Sequence, residues 1–442
     1  MNMKSENATM PILRQSRVCL AGRLDAPQGL KPEALSLSKW NPFEMSDDVF
    51  QKLQSTYYPS LLTSMNSVAG YNEQSVSCYR MNITGKSENI ILLPKKGNKE
   101  NIYPCIIKDI RLWFFPFDII LFSIEIEEHT DSFSDLTLMH SKWKKWNDEY
   151  DNFCTEDLND LLDPLVKLTK SCSPSKITFA GTKMRQYQVV ESNVLDDELL
   201  YEIGTFSAIG IVKDNNLARA YKPSNDYYQM IVNENVVSAY SNWKALALND
   251  SFTVLALDNY YSLSEFDEYD NAGKLIDTGY RYFDLLYMRC LFEEFYCFDR
   301  NNSYRESTDN KIDSGKIEEE IAYMEQHFFF EDMSYDFLPP LIYRAMAKGL
   351  NLHEDREQLI HNVKQSLREK RHERDNRAVN SVQILAAITV IWTIREMVIA
   401  IWPCSGENRE IAIFFVIIAL VSTFVLLKYP QHIIKLLNNN KD

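Results

Sequence analysis

Two apolar runs close together near the end of the chain constrain its architecture more than anything else. The first reads SVQILAAITVIWTIREMVIAIW from Ser381 to Trp402, and the second IAIFFVIIALVSTFVLL from Ile411 to Leu427. Each is about as long as a helix must be to cross a ~30 Å hydrocarbon layer. Nothing earlier in the chain has this character. The sequence predicts a membrane anchor of two helices carried by a large water-soluble body. The segment between them, Pro403 to Glu410, is too short for a domain, so the spans form an antiparallel hairpin.

The flanks orient that hairpin. Lys364, Arg368, Lys370, Arg371, Arg374 and Arg377 precede it, and Lys428, Lys435 and Lys441 come after it. The connecting segment holds one base, Arg409. An excess of Lys and Arg marks the cytoplasmic side, so both termini are expected in the cytoplasm and residues 403–410 outside. Trp402 and Tyr429 sit where interfacial aromatics belong.

The first span carries Arg395 and Glu396. Ionisable residues at membrane depth usually face a bundle interior or water. At ~100° per residue, Thr389, Thr393 and Glu396 share one narrow arc with Val382, Ala386 and Ala400. Such a stripe suits the lining of a pore, to which Asn380 and Gln383 at the cytoplasmic mouth also belong. The other reading makes Arg395 and Glu396 the outer edge of a shorter span, snorkelling to the interface. One hairpin encloses nothing. A channel therefore requires a homo-oligomeric ring, a tetramer or pentamer, with the first span inside and the second facing lipid.

The remaining residues suffice for one large or two moderate soluble domains. Across its 442 residues the formal charge is −15, which argues against a general grip on nucleic acid. The eight cysteines form no C-x-x-C pair and no disulfide framework. The start of the chain lacks the apolar core of a signal peptide.

In order, residues 1 to about 50 read as a loose arm broken by Pro27, Pro32 and Pro42, and residues 47–62 as a short helix. Strands are expected at residues 74–81, 89–93 and 102–113, with 114–127 as one long central strand. A helix is expected over residues 132–168, where Trp143 and Trp146 lie among lysines. Strand-like runs come next at 189–207 and 252–257, then a strongly amphipathic helix over 280–298. From Pro340 no proline recurs until Pro403, so a continuous helix from Leu341 to Trp402 is expected, about 90 Å long. Leu352, Leu359, Ile360, Val363 and Leu367 would form its seam.

Residues 218–250 are dense in groups suited to a flat, charged ligand. Arg219 and Lys222 can meet phosphate, and Lys244 is a further candidate ligand-binding residue. Tyr221, Tyr240 and Trp243 can stack on a base, and Asn242 and Asp250 can bind base or ribose edges. The same residues also fit a helix pair packing its aromatics inward.

The expected fold is thus an α+β cytoplasmic domain, a mixed sheet with flanking helices over residues 1–313. A helical stalk comes next at 314–380, then a pore helix at 381–402, an outer loop at 403–410, a second span at 411–427 and a basic tail at 428–442. This order resembles the CorA superfamily of cation channels and transporters. That family's Gly-Met-Asn hallmark has a counterpart here in Gly406-Glu407-Asn408, where Glu replaces Met. A ring of Glu407 would attract cations. The chain looks closer to the CorA-like membrane effectors of type III CRISPR systems. Their resemblance implies a sensor for a nucleotide second messenger, S-adenosyl-methionine joined to AMP (SAM-AMP), in antiviral defence at a bacterial inner membrane. The alternative the resemblance implies is a divalent-cation transporter of the Mg²⁺ type. No catalytic motif is recognisable, and the seven histidines show no ligand spacing. The sequence assigns no metal site.

Overall fold

The strand at the middle of the sheet comes from the very part of the sequence that reads as a loose arm. In the computed structural model, β1 (Leu13–Asp25) pairs antiparallel with two later strands, β6 (Ile119–Glu128) and β7 (Thr178–Ser192). The structure describes residues 11–25, 40–43, 53–54, 57–65, 76–81, 89–94, 100–143, 178–205, 223–257, 268–269, 275–276, 283–306, 314–401, 410, 413–414, 417–418 and 421. The chain divides into two units, residues 1–312 with 316–359, and residues 313–315 with 360–442.

The first unit is α+β. The remaining strands of its sheet are β2 (Trp40–Pro42), β3 (Ser77–Met81), β4 (Asn89–Pro94), β5 (Glu100–Phe115), β8 (Val236–Val237), β9 (Trp243–Ala247) and β10 (Ser251–Leu257). They run in the order β2-β3-β5-β6-β1-β7-β10-β9-β8, with β4 on β5. The sheet is mixed: β7 and β10 pair in parallel, and the other ladders are antiparallel. A separate ribbon joins β11 (Glu268–Tyr269) to β12 (Leu275–Ile276).

The single strand expected over 114–127 is instead a hairpin. Pro116 cannot donate to a central ladder, and Phe117 and Asp118 adopt positive φ of 64° and 62°. The chain turns there, so β5 and β6 lie side by side along their length. The run expected as a strand over 189–207 ends at Ser192 and becomes helix α3. The helices are α1 (Pro59–Met65), α2 (Phe133–Trp143), α3 (Asp197–Thr205), α4 (Asn225–Asn235), α5 (Asp284–Glu306), α6 (Ser314–His327), α7 (Leu338–Gly349) and α8 (Leu352–Ile401). Asp196 starts α3 by accepting from the amides of Glu198 (2.8 Å) and Leu199 (3.2 Å), a cap that ends the strand pattern.

Both faces of the sheet are covered. On one, Val18, Leu20, Leu24, Ile110, Leu112, Phe122 and Ile124 form a core with Leu136 and Met139 of α2 and Leu199, Leu200 and Ile203 of α3. On the other lies α5. It is not the amphipathic helix its sequence suggests, because residues on all its sides are buried: Leu285, Leu286, Tyr287, Met288, Leu291 and Glu294. Phe292 stacks on Phe115 of the sheet at 4.5 Å and meets Phe328 at 4.7 Å. Its charged groups are held in pairs: Glu294 with Arg185, Asp299 with Arg23, and Arg300 with Glu320.

The long helix expected from Leu341 is broken. α7 stops at Gly349, Asn351 takes a φ of 56°, and α8 begins at Leu352. Gly349 explains the break. A Cβ there would stand 2.9 Å from the backbone of Ala247 and Leu248 at the end of β9, so α7 is seated on the sheet. α6, α7 and the root of α8 therefore belong to the globular unit, where a stalk is expected from residue 314. Gly349→Ala should destabilise this unit by about 1–3 kcal/mol, because backbone must shift to admit the methyl group. A thermal melt of the purified chain checks it.

α8 is a 50-residue helix. Its stretch from Leu352 to Glu396 is long and apolar enough to contain a membrane span. In the second unit, Ile413, Phe414, Ile417, Ile418 and Val421 are exposed, and all five are helical.

Candidate functional site

The pleat of the central strands gathers polar side chains on the face beneath α5. Ladder partners share a face, so two rows cross the sheet side by side. One runs Tyr187, Cys19, Glu125, Asp109. The next runs Arg185, Ala21, Ser123, Arg111, Arg80. Arg80 and Arg111 both donate to Asp109, at 2.8 and 2.6 Å from their Nε atoms. Trp113 Nε1 donates to Ser123 Oγ at 3.1 Å.

The first turns of α5 bring Asp284, Tyr287 and Met288 over these rows. Together they line a cavity with Cys19, Asp109, Arg111, Trp113, Ser123 and Glu125. Its free volume of about 10 Å³ admits roughly one water molecule. Among the described residues the Tyr287 hydroxyl, on a side chain that is 2% exposed, has no hydrogen-bond partner. Burial pushes its pKa well above that of an ordinary phenol, so it stays a donor. Burial works against charge on Arg111, but Asp109 beside it more than compensates and holds it protonated. The cavity is of mixed sign and, as bounded by the described residues, too small for a nucleotide. Among the described residues no cluster of His, Cys, Asp and Glu is arranged to hold a metal.

The expected ligand segment is spread over several environments. Arg219, Tyr221 and Lys222 lie outside the described residues. Trp243 and Lys244 are successive strand residues and point to opposite faces: Trp243 is buried, and Lys244 pairs with Asp197 of α3 at 2.7 Å. Asn242 precedes β9 and Asp250 precedes β10, so they stand at opposite ends of one hairpin. Of the described members, Trp243, Lys244, Asn242 and Asp250 do not converge on a single ligand. Tyr240 does find a partner that the sequence does not suggest. Its exposed ring lies 6.1 Å from that of Phe337 and 5.9 Å from that of Trp243. Phe337 is 64% exposed at the start of α7.

Along α8, Asn380, Thr389 and Glu396 are exposed and Gln383 and Thr393 half-buried. The Thr389 hydroxyl donates to the Leu385 carbonyl at 2.8 Å, and Thr393 donates to the Thr389 carbonyl. Both hydroxyls are satisfied within the helix, so neither demands a watery face. Arg395 lies over the Trp392 ring at 5.6 Å. Large apolar groups dominate the exposed side: Ile384, Leu385, Ile388, Ile391, Trp392 and Ile399. The outer loop, Gly406, Glu407 and Asn408, is outside the described residues.

The buried polar rows escape a reading of the sequence, although a signal exists. Asp109-Ile110-Arg111 and Ile124-Glu125-Ile126 place charge at every second position of strands whose apolar centres predict burial on both faces. The architecture is that of a mixed α+β body continued by a helix apt for a membrane. No family model, no curated protein and no solved structure matches the chain.

Proposed function

We propose that the protein is a membrane-anchored, non-enzymatic effector whose C-terminal helices form a homo-oligomeric channel gated by a ligand of its α+β body. The observation that carries this reading is the apolar half of α8. Ile384, Leu385, Ile388, Ile391 and Trp392 are 56–69% exposed on consecutive turns. Covering one such side chain is worth roughly 1.5–3 kcal/mol, so the helix requires an apolar surround. A bilayer supplies it, and a ring of four or five copies supplies a conduit. The basic residues before the span favour both termini on the cytoplasmic side, and the resemblance to the CRISPR-associated effectors implies a bacterial inner membrane.

The ligand in this proposal is an adenine-containing second messenger, SAM-AMP by resemblance to the CRISPR-associated effectors. Tyr240 and Phe337 supply a place for its base. The pair stands at 6.1 Å with ring planes tilted by 51°, so a base would stack on the solvent-facing side of either ring and not between them. A ligand opens a channel only by binding the open state more tightly than the closed one.

Protein reconstituted in liposomes should release ions or dye when the messenger is added and remain tight without it. Tyr240→Ala with Phe337→Ala should weaken messenger binding about 10-fold or more, since each stacked ring contributes ~1–3 kcal/mol. Leakage independent of messenger, or none with it, counts against the reading. Steady Mg²⁺ flux without messenger would favour a CorA-like transporter instead.

A further inference from the structure

Just before its apolar half, α8 carries charges of opposite sign on different sides. At ~100° per residue, Glu369 and Glu373 lie within ~40° of each other, and so do Lys370 and Arg374. The two pairs are centred ~100° apart around the axis, and each glutamate is one residue, ~1.5 Å, below its basic counterpart. The side chains are exposed, with Lys370 half-buried. Glu373 meets Arg377 at 3.8 Å, on side chains 51% and 82% exposed, and Glu369 accepts from Gln365 at 3.0 Å. Arg371, Arg368 and Lys364 extend the basic side, with Asp375 among them.

We propose that this segment is the contact between neighbouring copies of the chain, the Glu369–Glu373 face of one against the Lys370–Arg374 face of the next. The inference rests on the proposed ring and specifies its interface. Three observations point to a second copy as the occupant. The faces are complementary in sign and unlike one another, so the contact is head-to-tail, the kind that closes into a ring. The opposed pairs stand at nearly equal height, which suits parallel, unstaggered helices, and a shared bilayer imposes that alignment. The ~100° between the faces falls between the contact angles of about 90° in a ring of four and about 108° in a ring of five. Charges flanking a helix seam in this way set register and partner choice.

Charge reversal of the full-length protein tests it, with particle mass read in detergent and in lipid nanodiscs. Glu369→Lys with Glu373→Lys, or Lys370→Glu with Arg374→Glu, should each lower the ringed fraction at least tenfold at low salt. All four reversals together should restore it, since complementarity returns with inverted sign. That restoration also shows that lost assembly is not lost folding. At 1 M salt, where the screening length is about 3 Å, the variants should converge on the wild type. A wild-type ring indifferent to either single-face reversal, or a fourfold reversal that fails to reassemble, overturns the interface while leaving the ring itself intact. A wild-type chain that stays monomeric in detergent and in nanodiscs overturns both.

Discussion

Arg289→Ala is expected to destabilise the globular unit by about 3–5 kcal/mol, more than Gly349→Ala does. Arg289 is completely buried in α5. Its Nε donates to Glu293 at 3.0 Å, and its Nη2 donates to the carbonyls of both Phe328 and Phe330 beyond the end of α6. The guanidinium also lies 4.4 Å from the Phe330 ring and 4.9 Å from that of Tyr343. Alanine leaves Glu293 buried, with Tyr343 Oη at 3.0 Å as its remaining donor. Burial already raises the Glu293 pKa against the pull of Arg289, and losing Arg289 raises it further. A carboxyl with a raised folded-state pKa favours the native state below its unfolded value of about 4.3, and that advantage disappears as pH rises through the folded value. The deficit of the variant should therefore be largest at neutral pH and shrink on acidification. Urea unfolding at two pH values reads both the size and the sign. An equal deficit at both would mean that Glu293 is not the group left uncompensated.

A chain ended after Gln365 should change from a membrane protein to a soluble one. This stop removes the apolar half of α8 and the second run while keeping the buried Leu359 and Val363. The sheet, α5, α6 and α7 lie wholly before it. Truncated protein should stay in the supernatant of a high-speed spin without detergent, melt cooperatively and still bind messenger through Tyr240 and Phe337. Aggregation or loss of the melt would show that the body depends on residues beyond Gln365. Retained membrane association would place the anchor elsewhere.

The long apolar helix is legible in the sequence because its run is unbroken by proline or turn residues, and β3, β4 and β10 because short β-rich runs are bounded by turns. β1 is not. Arg17 and Arg23 give it the look of a polar arm, and only the folded chain shows Arg17 buried beside Glu127 and Arg23 half-buried beside Asp299. α5 is recognisable as a helix but looks amphipathic, since Arg289, Glu293 and Glu294 mark a solvent face unless buried partners are known. The break between α7 and α8 depends on Gly349 meeting the backbone of β9, a contact distant in sequence. Tyr240 stands out as a stacking residue, but its neighbour Phe337 lies far along the chain, and only the fold brings the rings together.

The central position of β1 bears on how the protein is made. On a ribosome Leu13–Asp25 emerges while both of its ladder partners are still to be translated. The nascent chain must hold a sticky segment unpaired until β6 and then β7 appear, which slows folding and exposes it to misassembly. Chaperone capture of the growing polypeptide is the natural remedy, and a bulky fusion ahead of Leu13 should lower yield by hindering the threading of β1 into the gap between its partners.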